Sequence, residues 1–120
     1  MSVGSQIEKF YKEVSETQIL WFAEFPDGTI LEFDVSEHQV SFPVWSSRSR
    51  ILRLKKLAPE LLSEVEPIQV SWSEFKESMV PILEEKERLV NLNLSGKDLT
   101  GFDLKLSSLI SNLDAQINVS

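Results

Sequence analysis

Residues 19–45, ILWFAEFPDGTILEFDVSEHQVSFPVW, constrain the fold more than any other part of the chain. They hold two of the three Trp, four of the seven Phe and the only His. Within them, Phe25-Pro26-Asp27-Gly28-Thr29 reads as a tight turn. Pro sets φ at the first central position, Asp bonds locally, and Gly supplies a positive φ. The flanking residues 19–25 and 30–35 are rich in β-branched and aromatic side chains, so the spacing predicts a hairpin. Leu31, Phe33 and Val35 alternate with Glu32 and Asp34, and Val40, Phe42 and Val44 repeat the alternation in a third strand. Pro43 has no N–H to give to a ladder, which suits an edge strand. The first strand is apolar on both faces and is expected at the centre, with helices over one side. The stretch predicts a three-stranded antiparallel meander.

At 120 residues the chain is long enough to bury one core without covalent staples, and a single domain over 1–120 is expected. It has no Cys, hence no disulfide and no thiolate metal site, and this fits a reducing cytosol. Glu8 and Glu13 interrupt the apolar residues at the start, so neither a signal peptide nor a membrane span is expected. A formal net charge of −7 argues against phosphate backbones and anionic membranes as partners. A basic partner is compatible with it.

The remaining elements follow from periodicity and punctuation. Ile7, Phe10, Tyr11 and Val14 form one apolar stripe of a first helix opened by Gly4-Ser5. Ser46-Ser47 is a candidate N-cap for a second helix running to about Ala58, with a restart at Pro59. Pro67 precedes a short strand over 68–70. Ser71-Trp72-Ser73-Glu74 matches a capping box, and the helix it opens carries Phe75, Met79, Ile82 and Leu83 inward, with a kink or break expected at Pro81. Residues 89–94 alternate as a strand that can join the meander, Gly96 and Gly101 bracket a loop, and Leu106, Leu109, Ile110, Leu113 and Ile117 make a closing amphipathic helix. The order predicts an α+β fold: a small, mostly antiparallel sheet, the meander plus added short strands, with helices packed on one face.

The spacing of Trp21, Asp27-Gly28, Pro43-x-Trp45, Ile68 to Phe75, Pro81-x-Leu83, Val90, Gly101 and Leu109-x-x-x-Leu113 resembles the small bacterial family called domain of unknown function 2750. The resemblance covers nearly the whole chain. Ser46 departs from it, standing where Pro often follows the Trp, and the second helix is more basic. The family implies an α+β fold and carries no assigned activity, so it supplies no functional residues.

Candidate sites are few. His38 lies in the polar turn Ser36-Glu37-His38, where a lone imidazole is ordinarily solvated; no G-x-S-x-G elbow accompanies it. Glu32 and Asp34 share a strand face as an acid/base pair would, but alternation alone already sends them to water. The basic residues Arg48, Arg50, Arg53, Lys55 and Lys56 stand out in an acidic chain. On a helical wheel they surround the Ile51/Leu54/Ala58 stripe, as stems covering a core seam do. If the run does hold an anion, Arg48 and Arg50 beside the free N–H groups of the helix start are its members. Trp45 and Trp72 complete the candidate binding set, since exposed Trp favours interfaces; the alternative is that each seals the edge of a helix–sheet seam. No catalytic residue, metal ligand or cofactor is assigned.

The leading expectation is a non-catalytic, cytoplasmic protein-interaction module. Its partner is an unidentified protein or a second copy through Trp45 and the acidic outer sheet face. The alternative is a small enzyme or a protein binding an anion or small ligand through Glu32, Asp34, Arg48 and Arg50. Nucleic acid ranks third.

Overall fold

The computed structural model describes residues 3–95 and 103–119. Helix α1 (Val3–Thr17) buries Phe10 and Val14 and half-buries Ile7 and Tyr11, the stripe that its spacing specifies. Strand β1 (Ile19–Glu24) follows, then the Phe25–Thr29 turn. Gly28 takes φ 91°, and the Asp27 side chain accepts from the Thr29 N–H at 3.0 Å. Strands β2 (Phe33–Ser36) and β3 (Gln39–Val44) pair antiparallel across the exposed turn that carries His38. Helices α2 (Arg48–Leu57) and α3 (Pro59–Leu62) come next, with Pro59 starting the second of them. Then come β4 (Glu66–Ser71), the helical run α4 (Trp72–Glu74), a π-helical turn (Phe75–Met79) and α5 (Val80–Glu85). Strands β5 (Leu89–Leu92) and β6 (Asp103–Lys105) and helix α6 (Leu106–Val119) close the chain. The fold is α+β with mostly antiparallel pairing. The predicted loop between Gly96 and Gly101 lies outside the described residues.

The strands do not form one meander. They make two sheets, β1-β4 and β2-β3-β5-β6. The hairpin turn forms, yet only the Glu24–Ile30 bridge continues it, and β1 pairs along its length with β4, from Ile19–Ser71 to Glu24–Glu66. Both faces of β1 are apolar, so it gains more from a strand that brings helices to both sides than from β2, whose outer residues are polar. Leu20 and Phe22 join one core with α1, the π-helical turn, α5 and α6. Trp21 and Ala23 face a second core with Ile51 and Leu54 of α2 and Leu62 of α3. Helices therefore cover both faces of β1, not one as the sequence suggests.

Strand β3 is not at an edge: it lies between β2 and β5, and its pairing with β5 is parallel. Pro43 is tolerated because the partner along one side of β3 changes there. The β2 ladder ends at Ser41, and β1 takes over at Trp45, which exchanges both backbone hydrogen bonds with Trp21 at 2.9 Å. Backbone N–H groups two residues apart in a strand point the same way. The missing N–H of Pro43 thus falls in the gap between β2 and β1. The two sheets are joined through this switch.

The kink expected at Pro81 appears as a change of helical pitch. The Val80 N–H reaches back to the Phe75 carbonyl, and Pro81 enters in the first turn of α5, where its lost donor costs least. At the start of the run the Glu74 N–H bonds the Ser71 hydroxyl at 3.2 Å, as the capping box predicts.

Candidate functional site

Among the described residues, α1, α5 and α6 pack on one face of the four-stranded sheet, while on the other face only Phe33 and Leu94, at one corner, reach the core shared with α2. Phe42 and Val44 of β3 and Val90 and Leu92 of β5 face the first core. The opposite face follows from register: Phe33 stands opposite Ser41, Pro43 opposite Asn91, and Asn91 opposite Asp103. Directly opposed residues share a face, so one residue from each strand meets on this surface. Phe33, Val35, Ser41, Asn91 and Asp103 line a cavity of about 240 Å³, with Asp34 and Leu94 at its margins.

Chemically the cavity is a set of acceptors in an apolar frame. Oδ1 of Asp103 accepts from the Ser41 hydroxyl at 2.5 Å and from Nδ2 of Asn91 at 3.1 Å. Those two bonds fix the Asn91 amide, because the reverse orientation sets two acceptors against each other. Its carbonyl Oδ1 is buried without a hydrogen-bond partner, and Asn91 as a whole is 7% exposed. Buried acceptors are nearly always paired. Among the described residues it is the one buried side-chain polar atom without a partner.

A second polar network lies one strand-step away. Asn93, at φ 55°, accepts at its Oδ1 from the Ser46 N–H at 2.9 Å, and its backbone carbonyl accepts from Gln6 at 3.1 Å. Gln6 also donates to the Ser95 hydroxyl. The Ser46 hydroxyl reaches Glu13, which receives both Nε of Arg50 at 3.2 Å and Nη2 at 2.9 Å. Burial acts to raise the Glu13 pKa, but the bonds from Arg50 and Ser46 and the Arg50 charge outweigh it and hold the carboxyl below its ordinary value. This network is a strut between α1, α2 and β5. Its groups are paired and offer nothing to a ligand.

The residues singled out in the sequence are dispersed. Trp45 is fully buried, with its Nε1 donating to the Leu94 carbonyl at 2.9 Å. Trp72 is buried too; its Nε1 donates to Asp114 at 2.9 Å, and Lys76 lies 5.2 Å from its ring centroid. Both seal seams instead of presenting surface. Arg50 is engaged by Glu13, whereas Arg48 is exposed on α2 and lines neither cavity described here. Glu32 is bound by Arg88 at 2.7 Å and lines another cavity, of about 280 Å³, with Ile30, Phe42, Met79 and Lys86. Asp34 lines the first. The structure therefore does not bring Glu32, Asp34, Arg48 and Arg50 together.

The residues that sequence reasoning missed are Ser41, Asn91 and Asp103. Their signal was present: Asn91 and Asn93 alternate with Val90 and Leu92 on β5. That pattern reads as a strand with a wet face, but both Asn are buried. Among the described residues no cluster of three or more His, Asp or Glu is placed to hold a metal ion, and no helix is long and apolar enough to cross a membrane.

Two sheets joined at a strand switch, with helices on both sides of one sheet and one side of the other, define an α+β domain carrying an acceptor-lined cavity on its open face. Residues 7–113 match the family described as protein of unknown function DUF2750, and the chain belongs to that family. No curated protein matches it.

Proposed function

We propose that this chain is a non-catalytic protein-interaction module that docks a basic segment of a partner protein across the open face of its four-stranded sheet. The observation that supports this is the acceptor-lined cavity itself. It is bordered by Val35, a large apolar side chain left 46% exposed, and among the described residues it is lined by the Asp103 carboxylate and by no basic residue. With a net charge of −7 the surface favours a cationic partner and disfavours a second copy of itself. Carboxylate chemistry is less favoured, because Glu32 and Asp34 line different cavities and Arg50 is engaged by Glu13. The reading includes a cytoplasmic setting, which suits an acidic chain without Cys.

The test is an array of short peptides graded from acidic to basic, probed with the wild-type chain and with Val35→Arg. Basic peptides are expected to be retained, less so as salt rises, and the Val35→Arg chain is expected to lose them while keeping its circular dichroism spectrum. Retention confined to neutral or acidic peptides overturns the reading, as does retention that Val35→Arg leaves intact.

A further inference from the structure

The cavity over Asn91 has a chemistry that selects one kind of side chain. We propose that it receives the ε-ammonium of a lysine on the partner; this rests on the docking reading above and specifies its anchor. Among the described residues the side-chain groups around the cavity are mainly acceptors. The Ser41 hydroxyl gives its hydrogen, and the Asn91 Nδ2 one of its two, to Oδ1 of Asp103. What remains is the Asn91 carbonyl and the second oxygen of Asp103, neither with a hydrogen-bond partner among the described residues. A ligand that fits best brings donors and positive charge, which disfavours phosphates and carboxylates beside Asp103. Lysine meets that requirement with three N–H groups and no lone pair.

Shape narrows the choice further. The acceptors come from two neighbouring strands, β5 and β6, whose Asn91 and Asp103 stand directly opposite each other, which suits a compact ammonium between them. A guanidinium fork seeks both oxygens of one carboxylate, and at Asp103 one oxygen already carries two hydrogen bonds. Phe33, Val35 and Leu94 supply an apolar wall for a four-carbon stem. Oδ1 of Asn91 is closed to solvent, on a residue that lines the cavity. The terminal torsion of Asn is soft, so a small rotation of the amide, still tethered to Asp103, brings the carbonyl to the incoming ammonium.

The experiment follows the side-chain amide resonances of Asn91 by nuclear magnetic resonance. The full chain is titrated with Nα-acetyl-lysine methylamide, its arginine counterpart and its norleucine counterpart. Saturable shifts at Asn91 and Ser41 are expected with the lysine probe only. Asn91→Leu is expected to weaken the lysine probe roughly tenfold, the loss of one hydrogen bond to a charged group, while keeping the wild-type circular dichroism spectrum. Asp103→Asn provides a second variant and is expected to weaken the probe as well. Equal shifts from arginine or norleucine, or no saturable shift from lysine, overturn the proposal. Basic peptides retained equally by wild type and Asn91→Leu overturn the lysine anchor and leave the docking face standing. Saturation by the lysine probe with no peptide retained upholds the anchor chemistry and overturns the docking reading.

Discussion

Trp45 shows how one residue can join two sheets and fill a core at once. Its backbone closes the switch between the sheets through Trp21, its ring fills the second core, and its indole N–H meets the Leu94 carbonyl at 2.9 Å. Trp45→Phe keeps an aromatic ring but leaves that carbonyl without its donor and opens a gap where the larger ring stood. We expect a loss of about 2 kcal/mol of stability, measured as a lower urea midpoint at unchanged slope. Asn91 is the contrasting case, a residue whose polarity works against the stability of the free chain. Its burial and its lone acceptor could not be read from alternation. The period-2 pattern says that Asn91 and Asn93 share a face, and nothing local says what lies over it.

At the scale of elements, the end of α5 offers a clean test of backbone strain. The Glu87 N–H bonds the Glu84 carbonyl and the Arg88 N–H bonds the Leu83 carbonyl, both at 3.0 Å, a Schellman ending with Glu87 at φ 55°. That left-handed position favours glycine, and the Glu87 side chain is exposed. Glu87→Gly is therefore expected to stabilise the chain by about 1 kcal/mol, seen as a higher melting temperature. The two capping signals at helix starts had different outcomes. Ser71 caps as its sequence implies. At α2, Ser47 stands at the N-cap but its side chain caps no backbone N–H and meets the Ser49 hydroxyl at 3.2 Å, while Ser46 turns inward to Glu13 and Asn93. A hydroxyl takes the better-buried partners when tertiary contacts provide them.

At the scale of the whole molecule, the Gln6–Asn93–Ser46–Glu13–Arg50 network ties the α1 and α2 layers across the strand switch. Glu13 is held below its ordinary pKa in the folded chain, so its contribution is fully present above that ordinary value of 4.5 and is lost as pH falls through the lower folded value. Asp114 behaves alike, lowered first by the hydrogen bond from Trp72 and then by Lys76 against the opposing effect of burial. Stability to urea is expected to fall as pH drops through the carboxylate range. Glu13→Gln should flatten that fall and lower the plateau near neutrality. A slope unchanged by Glu13→Gln would remove this network from the account.

What the sequence determined by itself is local: the Pro-Asp-Gly turn, the apolar stripes of α1 and α6, the restart at Pro59, the cap at Ser71, and the α+β class that their order implies. These depend on neighbours a few residues apart, and periodicity records such neighbours directly. The tertiary structure decided the rest. It paired β1 with β4 instead of β2, set β3 and β5 parallel, buried Trp45 and Trp72, and gathered Ser41, Asn91 and Asp103 under one opening. Each of those outcomes depends on which distant surface covers a given face. That is settled by competition for apolar burial across the whole chain, and no short stretch of residues carries it.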